Sequence, residues 1–278
     1  MTPRLIAFDL DDTFIHHITQ LPERNIQAAR AAIKAGHKVV IASARPLCQT
    51  RWVHEAVGMD TPICNLNGAW IRTPDGRYES RNYLPGILVK ELMNQLLAFP
   101  EGELYQRYVE EDDFLYYDHM SSYEYWTDHV QRGGGICMKP GFDYPARSCA
   151  RIMVWTQSDS AKDRVLALFQ NRPDTEVQWT PANSETGSPH FLALYHARAN
   201  KWHAIRQMAE LWGIPDENII TFGDQWNDLM MLSKAGRGYA MKGSFAQKKD
   251  VTPYTTTLTA VEGGVGETIE RLLNEWKK

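Results

Sequence analysis

The stretch Leu5-Ile6-Ala7-Phe8-Asp9-Leu10-Asp11-Asp12-Thr13 decides the fold. Four apolar residues run without a break and stop at a carboxylate, the pattern of a buried parallel strand whose C-terminal end carries polar side chains. The same punctuation recurs where Val39 to Ala42 is followed by Ser43, and where Ile219 to Gly223 is followed by Asp224. Open α/β sheets bind ligands at that edge, so three polar strand ends mark one candidate site.

Working outward, the periodicity predicts a helix after Pro22 with Ile26, Ala29 and Ile33 on one face, ended by Gly36. A second opens at Pro46, carries Leu47, Val53 and Val57, and stops at Gly58; a short strand near Ile63 and a hairpin turned by Pro74-Asp75-Gly76 follow. From Asn200, a predicted N-cap, the alternation resumes: a helix with Ile205, Met208, Ala209 and Trp212, the strand from Ile219, a helix from Asn227, a strand at Tyr239 to Met241, and a terminal helix with Ile269, Leu272, Leu273 and Trp276. Between about Leu84 and Tyr195 strands and helices mix without acid-ended strands. There Gly133-Gly134-Gly135 reads as a loop, Ser160-Ala161-Lys162-Asp163 as a helix start, and Phe191 to Tyr195 as a closing strand. The pattern is one α/β domain interrupted by an inserted second domain.

Composition narrows the classes. A length of 278 residues suggests about two domains, and 43% apolar with 23% charged residues is ordinary globular usage. Thirty basic against 34 acidic residues give a net charge of −4, which argues against a nucleic-acid partner while leaving room for one small phosphate. Cys48, Cys64, Cys137 and Cys149 form no C-x-x-C pair and read as reduced thiols. The N-terminus has no signal-peptide pattern and no run reaches the roughly 18 apolar residues of a membrane span. The expectation is a soluble cytoplasmic protein, monomeric or weakly homo-oligomeric, with no membrane partner.

Asp9 and Asp11 stand two apart, so an extended backbone points both carboxylates to one side. Such a pair can hold a hard cation, split into nucleophile and general acid/base, or do both; alone, it more often marks a turn or a helix cap. Gly223-Asp224-Gln225-Trp226-Asn227-Asp228 adds two carboxylates and an amide at another strand end. Two acidic strand ends suit Mg²⁺, which takes one or two carboxylates together with phosphate and water. Ser43 offers a hydroxyl, and Lys201 an ammonium at a helix start. Arg45 reads either as a phosphate ligand or as an ion-paired residue heading the Pro46 helix.

The ordered motifs Asp-x-Asp-x-Thr (Asp9 to Thr13), Ser-x-Arg-Pro (Ser43 to Pro46), Asn-Gly-Ala (Asn67 to Ala69), Lys201 and Gly-Asp-x-x-Asn-Asp (Gly223 to Asp228) resemble the haloacid dehalogenase-like superfamily. The likeness is greatest to its Cof-type, sugar-phosphatase-like subclass IIB, and includes Gly238 to Met241 and Glu262 to Val265. The resemblance implies a Rossmann-like parallel-sheet core, residues 1–83 and 197–278, with an inserted α/β cap domain at 84–196. It implies a Mg²⁺-dependent phosphatase acting on a small phosphate ester, a sugar phosphate or phosphorylated cofactor. Asp9 would be the nucleophile and Asp11 the general acid/base; Asp9, the Asp11 carbonyl and Asp224 would hold Mg²⁺, supported by Asp228. Ser43, Ala44, Arg45, Asn67, Lys201 and Asn227 would bind the phosphoryl group. A phosphomutase using the same aspartyl-phosphate, or a non-hydrolytic metabolite-binding regulator, are the competing functions.

Several positions depart from the pattern: Asp12 replaces a frequent Gly, Ser43-Ala44-Arg45 replaces Thr-Gly-Arg, Trp202 follows Lys201, Gly243 stands where Asn is common, and Trp226 is bulky. Eight aromatics crowd into 22 residues (Tyr105, Tyr108, Phe114, Tyr116, Tyr117, Tyr123, Tyr125, Trp126), fitting either cap packing or a substrate wall. His16, His17 and His190 lack metal-ligand spacing and read as loop residues.

Overall fold

In the computed structural model, the described residues are 2–16, 19–104, 106–117, 129–138, 147–184 and 187–277. The chain divides into two compact units, one of residues 1–45, 50–80 and 200–278, the other of 46–49 and 81–199.

The first unit is built on a sheet with the order β14-β13-β12-β1-β2, where β1 is Leu5–Phe8, β2 Lys38–Ile41, β12 Ile219–Gly223, β13 Arg237–Ala240 and β14 Tyr254–Thr255. Every pairing is parallel. Leu5, Ile6, Ala7 and Phe8 are fully buried, as a strand covered on both faces requires. Each large side chain so buried contributes about 1.5–3 kcal/mol. Register places the site: Phe8 lies beside both Ile41 and Phe222, so the residues that follow these three strands emerge together at one edge.

Helices cover both faces. α1 (Glu23–Lys34) packs on the terminal helix Gly264–Glu275, and the buried Asn25 ties them by donating to Phe14 O at 2.8 Å and accepting from Gly266 N at 2.7 Å. On the other face Leu5, Ala7, Val40 and Ala42 meet Trp202, Ile205 and Met208 of the helix Lys201–Glu210. A smaller sheet, β3 (Ile63–Asn65), β4 (Trp70–Arg72) and β5 (Glu79–Arg81), adjoins β2 through a parallel bridge between Ala42 and Cys64.

The second unit is a six-stranded sheet, β10-β11-β9-β6-β7-β8, antiparallel except where β7 (Phe114–Tyr117) runs parallel to β8 (Gly135–Met138). The others are β6 (Gln106–Glu111), β9 (Arg151–Thr156), β10 (Thr175–Thr180) and β11 (His190–His196). Helices Gly86–Leu97 and Asp159–Phe169 cover the face bearing Val109, Ile152, Val154, Leu192 and Leu194. The latter helix starts earlier than the sequence suggested, because Ser158 is its cap and accepts from Ala161 N at 3.1 Å. Arg151 pairs with the buried Glu110 and donates to Tyr195 Oη at 2.9 Å.

Tyr108 packs edge-on against Trp155 at 5.2 Å and lies 6.1 Å from Tyr117, so these members of the aromatic segment serve the sheet. Tyr116 is buried and Phe114 exposed, while Tyr105, Tyr123, Tyr125, Trp126 and His17 lie outside the described residues. His190 is a strand residue instead of a loop residue, held by Ala182 N at 2.9 Å and Asp159 at 3.1 Å.

His54, buried on the helix Leu47–Val57, directs Nε2 at Thr61 O from 2.8 Å, and burial lowers its pKa below the ordinary value. A folded pKa below the unfolded one means the unfolded chain takes up the proton first. Stability should therefore fall as pH drops below about 6.5. Urea midpoints between pH 7.5 and 5.5 check this: His54→Gln, which keeps an N–H donor but does not titrate, should show a shallower decline than wild type. An equal decline would remove His54 from the account.

Candidate active site

Asp9 follows β1 and is fixed by its amide, which donates to Phe222 O at 3.0 Å. Ser43 follows β2, with its amide on Cys64 O at 2.9 Å and its hydroxyl accepting from Arg45 N at 3.1 Å. Asp224 follows β12. Lys201 begins its helix because Asn200 caps it, the Asn200 Oδ1 accepting from Trp202 N at 2.8 Å.

The centre is a buried ion cluster. Lys201 Nζ lies 2.8 Å from Asp9 Oδ1 and 2.8 Å from Asp228 Oδ1, and all three residues are buried. Asp228 Oδ2 accepts from the amides of Asp224 and Gln225, each at 3.0 Å. Gly223 makes room for this: a Cβ there would stand 2.5 Å from Asp228 Cβ. Asp224 Oδ1 accepts from the Thr13 hydroxyl at 3.0 Å.

Burial raises the Asp9 carboxyl well above the usual carboxylate range; the Lys201 charge opposes that, and Asp228 and Asp224 reinforce it. Asp224 is pushed up to about 7 by burial and by Asp228. For Lys201, burial disfavours the ammonium, but Asp228 and Asp9 outweigh it and hold the pKa above the ordinary lysine value.

Carboxylate oxygens of Asp9, Asp224 and Asp228 lie within 4.8 Å of one another. Three carboxylates facing one ammonium leave an excess of negative charge, and an all-oxygen donor set of this kind suits a hard divalent cation. The Asp11 carboxylate is not in this trio. It is half-exposed and pairs with Arg45, whose Nε donates to Asp11 Oδ2 at 2.8 Å. Arg45 is ion-paired here, as one of its two readings expects.

Among the residues expected at the phosphoryl group, Asn227 Nδ2 donates to Asn67 Oδ1 at 3.1 Å. Half-buried Ala44 has only main-chain groups to offer a ligand. Asp12 and His16 form a pair at 3.1 Å beside Asp11.

Two contributors were not assigned from sequence. One is Thr13, the final position of the first motif. The other is Asn65, which donates to Arg45 O at 3.0 Å and Thr50 Oγ1 at 2.9 Å; a polar residue ending the apolar Ile63-Cys64 run was its available signal.

The family described as haloacid dehalogenase-like hydrolase matches residues 6–269 of this chain. The chain belongs to the haloacid dehalogenase-like hydrolases. A relative named 5-amino-6-(5-phospho-D-ribitylamino)uracil phosphatase YitU, from Bacillus subtilis, is 25% identical over 280 residues, 99% of this chain and 97% of that protein. Among solved structures, a haloacid dehalogenase-like hydrolase from Bacteroides thetaiotaomicron superposes with a TM-score of 0.79 at 22% identity, covering 98% of this chain and all of that one. A subclass IIB sugar phosphatase, BT4131, gives 0.76 at 20% identity over 97% and 98% of the two chains. This haloacid dehalogenase-like chain is an enzyme of the phosphatase kind. No helix among its described residues is long and apolar enough to cross a membrane.

The acidic trio makes a measurable demand on solution ions. A divalent cation at a hundred times its Kd stabilises the native state by about 2.7 kcal/mol. For a chain of this size that is a Tm rise of about 5 °C. Thermal denaturation with Mg²⁺ and then with excess chelator should show this rise and its reversal, and Asp224→Asn should remove most of it. An equal shift in Asp224→Asn would place the cation elsewhere.

Proposed function

We propose that this enzyme is a Mg²⁺-dependent phosphomonoester hydrolase that acts on a small phosphorylated metabolite, a sugar phosphate or a phosphorylated cofactor, through an aspartyl-phosphate on Asp9. The observation that carries the proposal is the Asp9–Lys201–Asp228 cluster with Asp224 beside it, at the C-terminal edge of a parallel sheet. Membership of a hydrolase family and a full-length relative named as a phosphatase support it. Residues 84–196 act as the cap in this reading, and the compartment is the cytoplasm, in keeping with the free thiols of Cys48, Cys64 and Cys149.

The residues divide the work. Asp9 and Asp224, with the Asp11 carbonyl, would hold Mg²⁺, whose contribution when bound is to neutralise charge between carboxylate and phosphate. Asp228 gives one oxygen to Lys201 and the other to two amides, so its role is to hold that lysine and the Asp224 backbone. Lys201 keeps Asp9 oriented and brings positive charge to the phosphoryl group, with Ser43 and Asn227 as hydrogen-bonding partners.

An Asp9 oxygen forms a bond to phosphorus as the ester P–O bond breaks, and Asp11 gives its proton to the departing alkoxide. Water then attacks the phosphorus of the acyl phosphate, Asp11 takes its proton back, and orthophosphate leaves with the Asp9 carboxylate restored. Arg45 fixes the side-chain direction of Asp11. Positioning and charge neutralisation supply most of the acceleration.

Orthophosphate release from a panel of sugar phosphates, pyridoxal phosphate and 4-nitrophenyl phosphate, with and without Mg²⁺, tests the reading. Asp9→Asn should lose more than about a thousandfold in kcat. Asp11→Asn should lose about a hundred- to ten-thousandfold with alkyl esters, and less with the nitrophenyl ester, whose leaving group needs little protonation. Equal turnover by wild type and Asp9→Asn, or indifference to Mg²⁺, would contradict the mechanism.

A further inference from the structure

The turn after β3 holds an unusual backbone. Leu66, Asn67 and Gly68 have φ of +53°, +56° and +96° in succession. Left-handed conformations are uncommon outside glycine and worst for bulky side chains such as Leu, and they persist where surrounding structure over-determines them.

The surroundings here are the expected phosphoryl-binding residues. Asn67 N donates to Ser43 O at 3.0 Å, and Leu66 N donates to Arg45 O at 3.2 Å. Asn65 Nδ2 donates to the same Arg45 carbonyl at 3.0 Å. The Asn67 side chain accepts from Asn227 Nδ2 at 3.1 Å. Gly68 lies directly against the cap of the Lys201 helix: a Cβ at this position would be 2.5 Å from Asn200 O and 2.8 Å from Asn200 N. One short turn thus reaches the backbone of Ser43 and Arg45, the side chain of Asn227 and the residue that starts the Lys201 helix. These four groups come from three separate segments of the chain.

We propose that the Asn65–Gly68 turn is a positioning element that sets Ser43, Lys201 and Asn227 against one another, and that Asn67 acts on the phosphoryl group through Asn227 and not by a contact of its own. Gly68 is a positioning residue because the close approach to Asn200 admits no side chain. Beside the local Ala69 N–Leu66 O bond at 3.1 Å, the unfavourable conformation is held by hydrogen bonds whose other ends are site residues, so relaxing the turn moves the site. This rests on the reading of the site as a phosphoryl-transfer centre.

The test is a double-mutant cycle on orthophosphate affinity, measured by calorimetric titration with Mg²⁺ present and by inhibition of 4-nitrophenyl phosphate turnover. Asn67→Ala and Asn227→Ala should each weaken orthophosphate about tenfold, and the double variant should lose no more than Asn227→Ala alone. A loss near a hundredfold in the double variant, the product of the singles, means an independent phosphate contact and overturns the proposal; so does an Asn67→Ala that binds like wild type. Gly68→Ala, assayed well below its Tm after circular dichroism shows it folded, should lose at least tenfold in kcat, because displacements near 1 Å cost on that scale or more. Full activity in folded Gly68→Ala overturns the proposal, and if that variant does not fold the cycle decides alone. A wild type that binds orthophosphate but hydrolyses no ester sinks the hydrolase reading while leaving the cycle valid; one that does neither overturns both.

Discussion

The Lys201 ammonium, buried between Asp9 and Asp228, is the contact on which the site depends. A charge taken out of water without partners is prohibitively costly, for the lysine and for each carboxylate alike. Together they are tolerable, and the geometry that unites them constrains distant parts of the chain. β1 must run beside β12 in the observed register, Asn200 must start the helix one residue before Lys201, and residue 223 must lack a side chain so that Asp228 can fold beneath the strand end. Removing one charge would leave the others buried and unpaired, the more damaging change than losing the whole group.

Charge also separates the site into two parts. The trio of Asp9, Asp224 and Asp228 exceeds the single ammonium, an imbalance that suits a divalent cation. Asp11 stands apart, half-exposed and paired with Arg45. The neighbouring Asp12 explains one departure from the family pattern. Its φ is +48°, a conformation that glycine adopts freely and that Asp tolerates better than most residues, so the backbone there is the glycine-like one despite the side chain.

The α/β core and its insertion were legible because buried parallel strands write themselves as uninterrupted apolar runs, and Leu5 to Phe8, Val39 to Ala42 and Ile219 to Phe222 are such runs. Polar residues at their ends pointed to the residues that the structure gathers. Less legible were contacts made by main-chain shape. Asn67-Gly68 signals a positive-φ turn, but nothing in the string Asn65-Leu66-Asn67-Gly68 announces that Leu66 joins it, since Leu66 is unfavourable there and is held by the local Ala69 N–Leu66 O bond and by a long-range bond to Arg45 O. The helix start at Ser158 was missed for a local reason: Ser160 and Ser158 are both residues of the capping kind, and it is the Ser158 hydroxyl that accepts from Ala161 N at 3.1 Å. His190 was misread because a lone polar residue at the start of β11 looks like loop until its partners, Ala182 eight residues before it and Asp159 31 residues before it, are known.

The central claim is that Asp9 becomes covalently phosphorylated during turnover, and chemical trapping tests it most directly. Enzyme quenched in acid during steady-state hydrolysis and reduced with borohydride should yield a peptide in which position 9 has become homoserine, the reduction product of an acyl phosphate, with Asp11 unmodified. Asp9→Asn treated alike should yield none. Recovery of unmodified Asp9 throughout rapid turnover, or the reduction product at Asp11, would contradict the account.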